Sequence, residues 1–132
     1  MVFFALGNMQ SLARKSAAQL NAEGFDTALI NARFIKPIDA GTTEFFGRAS
    51  QVVVTLEDHA LMGGYGSAVL ELFADKRITT SVVRIGWPDQ FIEHATGVDD
   101  LREKYGLTVP SIVAQVKAQL TALPALGLTA VA

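Results

Sequence analysis

The 132-residue chain contains no cysteine. That removes a disulfide framework and thiolate chemistry, and it fits an intracellular protein. Histidine is nearly absent too. The two present, His59 and His94, are far apart in sequence and have no triad partners, and no spacing in the chain matches a zinc site. Basic residues form no block and the formal net charge is -2, so nucleic acid is not an expected partner. No apolar run approaches the roughly 20 residues of a membrane span, and the start, MVFFALGNMQ, lacks a basic n-region and is too short for a signal peptide. The expected location is the cytoplasm. Internal repeats, low-complexity segments and linkers are also missing. What remains is half hydrophobic and 18% charged, the composition of one globular domain large enough to bury a core.

The chain is organised around residues 52–69, VVVTLEDHALMGGYGSAV. A β-branched run, apolar on both faces, suits the centre of a parallel sheet. It ends at Glu57 and Asp58, followed by His59 and by Gly63-Gly64-Tyr65-Gly66 opening a helical pattern. Acidic residues, a glycine loop and a helix sit where open α/β sheets place their functional crevices. Other strands are predicted over 2–6, 26–31 and 81–86. Between them fall a helix over 9–22, with Asn8 as its cap and Gly24 at its end, a short helix capped by Asp39, and a helix over 64–76 with Ala68, Val69, Leu72 and Phe73 inward. Residues 87–94 are aromatic and irregular, 98–105 form a short helix with acidic residues in its first turn, and Thr108 caps a last helix. Residues 1–122 form the domain, and 123–132 are expected to be a frayed apolar tail. Strand–helix alternation argues a parallel sheet covered on both sides. With strand order 2-1-3-4, the switch point lies between the first and third strands, where Gly7 and Glu57 should face each other.

Several residues have two readings. Gly63, Gly64 and Gly66 can cradle a phosphate, but acidic residues precede them, and close packing at a helix start or a subunit contact is favoured. Glu57 is either a buried carboxylate with a raised pKa or a structural one accepting backbone amides. A surface or hydrogen-bonded role is favoured for His59 and His94. Ser67 lacks the nucleophile-elbow pattern. Arg33, one residue beyond the last strand-like stretch and close to Lys36, carries a fork that matches phosphate oxygens, with a salt bridge as the alternative.

Three motifs, residues 32–39 (ARFIKPID), 55–67 (TLEDHALMGGYGS) and 86–94 (GWPDQFIEH), together resemble the C-terminal domain of 1-deoxy-D-xylulose-5-phosphate synthases, which are thiamine-diphosphate enzymes of the transketolase group. The likeness covers about residues 4 to 120. It implies a three-layer α/β/α domain with a mainly parallel four-stranded sheet and helices on both faces, lacking the family's first, antiparallel strand. It also implies part of a transferase that joins pyruvate to glyceraldehyde 3-phosphate. In that family thiamine diphosphate and magnesium are held by two preceding domains, so no cofactor is expected on this chain alone and no catalysis by it alone. The expected partners are those cofactor-binding domains, in cis or as a separate chain, and further copies in a homo-oligomer. Arg33 matches the arginine that grips the aldehyde's phosphate. Glu57, Asp58, His59, Gly63, Gly64, Gly66, Glu93 and His94 fall to structural or interface roles. Two departures stand out: Trp87 replaces the family's leucine or isoleucine, and Ala95 its glycine. The alternatives are the matching domain of a transketolase or a 2-oxo acid dehydrogenase beta subunit, or a non-catalytic α/β module binding an anion or a partner. A chain that opens on a core strand is expected to be cut from something longer.

Overall fold

The computed structural model describes residues 1–94 and 96–123. Ala95 and nearly all of the 123–132 tail lie outside the described residues. Four strands, β1 (Val2–Ala5), β2 (Ala28–Asn31), β3 (Val52–Ala60) and β4 (Ser81–Trp87), pair in the order β2-β1-β3-β4, all parallel. Among the described residues five α-helices accompany them: α1 (Gln10–Ala22), α2 (Ala40–Ala49), α3 (Tyr65–Lys76), α4 (Val98–Lys104) and α5 (Val109–Ala122).

The period of two in the strands divides the core into two layers. Phe3, Ala5, Val52, Val54 and Leu56 point to one side, against Ala13 and Leu20 of α1 and Ile112 and Val116 of α5. Val2, Phe4 and Val53 point to the other, against Val69 and Phe73 of α3 and Phe46 of α2. Strands covered on both faces need apolar residues at nearly every position, which is why β1 and the first half of β3 are unbroken hydrophobic runs. Asp39 caps α2 by accepting from the Thr42 amide at 3.0 Å. Thr108 caps α5, and Gly24, at φ +90, follows the end of α1.

Three expectations need correction. Asn8 does not cap α1. It sits in a 3-10 turn, Gly7–Met9, and the position before α1 is Met9, with no side-chain cap. β3 does not end at its acidic pair but runs on to Ala60. From Leu56 to Ala60 it advances four residues while β4 advances two, Ile85 to Trp87. This bulge carries Asp58 and His59 out to the exposed rim. Finally, Tyr65 and Gly66 are buried on α3 alongside Val69 and Phe73, whereas Ala68 and Leu72 are only partly covered.

Candidate functional site

Parallel strands place the loops after β1, β2, β3 and β4 along one rim of the sheet, where α/β folds bind ligands. The loop after β2 presents Arg33. The Asn31 side chain accepts from the Arg33 amide at 3.2 Å, and Arg33 itself stands at φ +54. A left-handed backbone conformation costs a non-glycine residue about 1–2 kcal/mol. Among the described residues the other such residue, Arg77, ends α3 as an ordinary left-handed cap. Arg33 is exposed, and among the described residues no carboxylate lies within ion-pair distance of it. In particular it does not pair with Asp58.

Glu57 is fully buried. Its carboxylate accepts from the Tyr65 amide at 2.5 Å and the Gly66 amide at 2.9 Å. These are free N–H groups at the first turn of α3, and the anion complements the helix dipole there. The Glu57 carboxylate thus accepts backbone amides at the end of the glycine loop. Its helix start is already occupied by an internal anion. A Cβ on Gly64 would lie 2.1 Å from Glu57 Oε2, and one on Gly66 2.7 Å from Thr55 Oγ1. Those two positions are glycine because the strand end and the helix start are pressed together.

Across the switch point the residues that meet are Asn8 and Asp58, in place of the expected Gly7 and Glu57. Alternation along the strand turns Glu57 toward α3, and the bulge leaves Asp58 at the rim. The Asn8 amide donates to Asp58 Oδ2 at 2.5 Å, and the Trp87 indole N–H donates to Oδ1 at 2.6 Å. The Asn8 hydrogen bond above all, then that of Trp87 and the charge of Arg102, hold the Asp58 carboxyl below its usual range against the opposing effect of burial. The Trp87 ring stands edge-on to Tyr105 at 5.8 Å. The Tyr105 hydroxyl in turn donates to Glu93 at 2.7 Å, and Lys104 also pairs with Glu93. Lys104 first, then Tyr105, lower the Glu93 carboxyl to about 2. Asp58 and Glu93 thus belong to one chain of contacts that ties the loop after β4 to the sheet rim and to α4.

His59 and His94 are exposed, and among the described residues neither forms an ion pair with an acid. His59 Nδ1 lies 2.9 Å from the Ala60 carbonyl oxygen. Asn8, Trp87 and Tyr105 were not singled out from sequence as partners of the acidic residues. The available signal was that an indole N–H at a strand end needs an acceptor. No group of three or more His, Asp or Glu among the described residues could hold a metal ion, and no described helix is long and apolar enough to cross a membrane.

Residues 1–112 match the family model described as transketolase, C-terminal domain. The chain is 47% identical over 115 residues to a 1-deoxy-D-xylulose-5-phosphate synthase of Methylacidiphilum infernorum, covering 87% of this chain and 18% of that protein. It is 44% identical over 116 residues to the synthase of Heliobacterium modesticaldum, with 88% and 18% covered. Among solved structures, a split gene transketolase described as an inactive beta4 tetramer superposes with a TM-score of 0.82 at 38% identity, over 91% of this chain and 39% of that one. The chain spans about a fifth of the length of the curated relatives it matches.

Proposed function

Because the chain belongs to the transketolase C-terminal domain family, we propose that it serves as the C-terminal domain of a cytoplasmic transferase that condenses pyruvate with glyceraldehyde 3-phosphate, and that Arg33 holds the phosphate of the aldehyde. The observation that carries this reading is the setting of Arg33. It lies beyond the carboxyl end of β2, exposed, in a strained backbone conformation, with no carboxylate beside it. Non-glycine residues in that backbone region cluster at active sites and ligand clamps, where the surrounding structure holds them. A guanidinium held there can take two phosphate oxygens through parallel charge-assisted hydrogen bonds.

Thiamine diphosphate and magnesium belong to the reaction but do not fit this chain. The amides that open α3 are taken by Glu57, and the described residues offer no metal-ligand cluster. The remaining domains of the enzyme, in the same polypeptide or a second one, supply that chemistry. What this chain contributes is a fixed cation for the substrate's distal end and a rigid rim on which to mount it. In the assembled enzyme Arg33→Lys keeps the charge but loses the fork. It should raise the KM for glyceraldehyde 3-phosphate on the order of ten- to a hundred-fold, the loss of about 1.5–3 kcal/mol, while pyruvate decarboxylation stays largely intact. Equal loss of both half-reactions would refute the phosphate role.

A further inference from the structure

Residues 33–37 are exposed without a break, while the flanking Ala32 and Ile38 pack against the core layer shared with α2 and α3. Bulky neighbours do not anchor Arg33: Phe34 is 65% exposed and Ile35 41%. Hydrogen bonds fix the turn instead. The Ala32 amide donates to the Ala5 carbonyl at 3.0 Å. The Gln10 side chain donates to that same oxygen at 2.6 Å and to the Ile30 carbonyl at 3.3 Å. The chain is therefore clamped to β1 as far as Ala32. Beyond that point, among the described residues, two hydrogen bonds hold the backbone before Asp39 opens α2. The Phe34 amide donates to the Ala32 carbonyl at 2.6 Å, and the Arg33 amide donates to Asn31 Oδ1 at 3.2 Å.

We propose that Asn31 is a positioning residue for the substrate's phosphate: its side-chain carbonyl holds the Arg33 backbone in the turn that aims the guanidinium. The inference rests on the phosphate reading of Arg33. A hydrogen bond spanning two residues around a positive φ makes a γ-turn of the rarer, strained hand, and Arg33 stands at φ +54. The Asn31 acceptor adds a second bond leading into the same residue, an Asx turn. Removing that acceptor leaves one short bond to hold a conformation that costs energy. Asn31 is the last residue of β2 and pairs in register with Ala5, so the sheet fixes its own backbone. The two turns carry the rigidity of the sheet edge to a cation that has no ion-pair partner among the described residues.

The test compares Asn31→Ala with Asn31→Asp, in the assembled enzyme and in the full chain. In the enzyme, Asn31→Ala should raise the KM for glyceraldehyde 3-phosphate about five-fold or more, the effect of losing one positioning hydrogen bond. Pyruvate decarboxylation should stay largely intact. Asn31→Asp keeps the acceptor and should restore most of the wild-type KM. In an Arg33→Ala background, Asn31→Ala should change the KM no further, since two residues that act through one group are not additive. In the full chain, proton cross-relaxation between the amide and Hα of Arg33 is strong at positive φ. It should persist in Asn31→Asp and weaken in Asn31→Ala. If Arg33→Lys shows the selective KM effect and Asn31→Ala does not, the inference is overturned and the phosphate reading stands. Unchanged cross-relaxation in Asn31→Ala, a further KM rise in the Arg33→Ala background, or equal loss of both half-reactions would also overturn it. If neither Arg33→Lys nor Asn31→Ala moves the KM, both fall.

Discussion

Glu57 is the residue on which the rim depends. Among the described residues it is the one fully buried carboxylate, and both its oxygens are engaged by amides of the α3 start. Glu57→Ala leaves two buried N–H groups with no acceptor. Charge-assisted hydrogen bonds contribute about 1.5–3 kcal/mol each, so chemical denaturation should show a loss of about 3 kcal/mol or more. Glu57→Gln should fall between, since its amide oxygen can take one donor while its NH2 opposes the other. An alanine variant as stable as wild type would show that the two bonds contribute little. From sequence, Glu57 stood between two readings because the groups that decide them come from Tyr65 and Gly66, beyond a glycine loop whose path is set by tertiary packing. The same holds for Asp58. Its partners Asn8 and Trp87 are 50 and 29 residues away, and no local pattern joins them.

At the scale of elements, the strands, their order and the caps at Asp39 and Thr108 were legible, because buried parallel strands and helix starts leave strong local signatures. The bulge in β3 was not. An extra pair of residues in a strand end looks like the beginning of a loop. That bulge, with Asn8 and Trp87, forms a latch between β1, β3 and β4, and the latch is sensitive to pH in one direction. The Asp58 carboxyl is lowered from 3.8, so its contribution is complete above the ordinary carboxylate range and is lost as pH falls through the lowered folded value. Trp87 is the chain's single tryptophan, so its emission reports the latch directly. The emission change on acidification should have its midpoint below 3.8, and Asp58→Ala should show the altered emission already at neutral pH. A wild-type transition centred above 3.8 would contradict the latch as described. Glu93, lowered to about 2 by Lys104 and Tyr105, keeps its ties to α4 through the ordinary carboxylate range.

For the molecule as a whole, the parallel sheet covered on both sides was readable from strand–helix alternation, and the family from the resemblance of three short motifs. The reaction is a proposal for an assembly of which this chain is about a fifth. Alone, the chain should give no product from pyruvate and glyceraldehyde 3-phosphate with thiamine diphosphate and magnesium, because the described residues offer no metal-ligand cluster. The most direct measurement is therefore a graft. This chain replaces the C-terminal domain of the Methylacidiphilum infernorum synthase, and formation of 1-deoxy-D-xylulose 5-phosphate is followed against the same synthase lacking that domain. The account predicts turnover well above the domain-deleted enzyme, with Arg33→Lys in the graft raising the KM for glyceraldehyde 3-phosphate selectively. A folded, cofactor-loaded graft that turns over no faster than the deleted enzyme would contradict it.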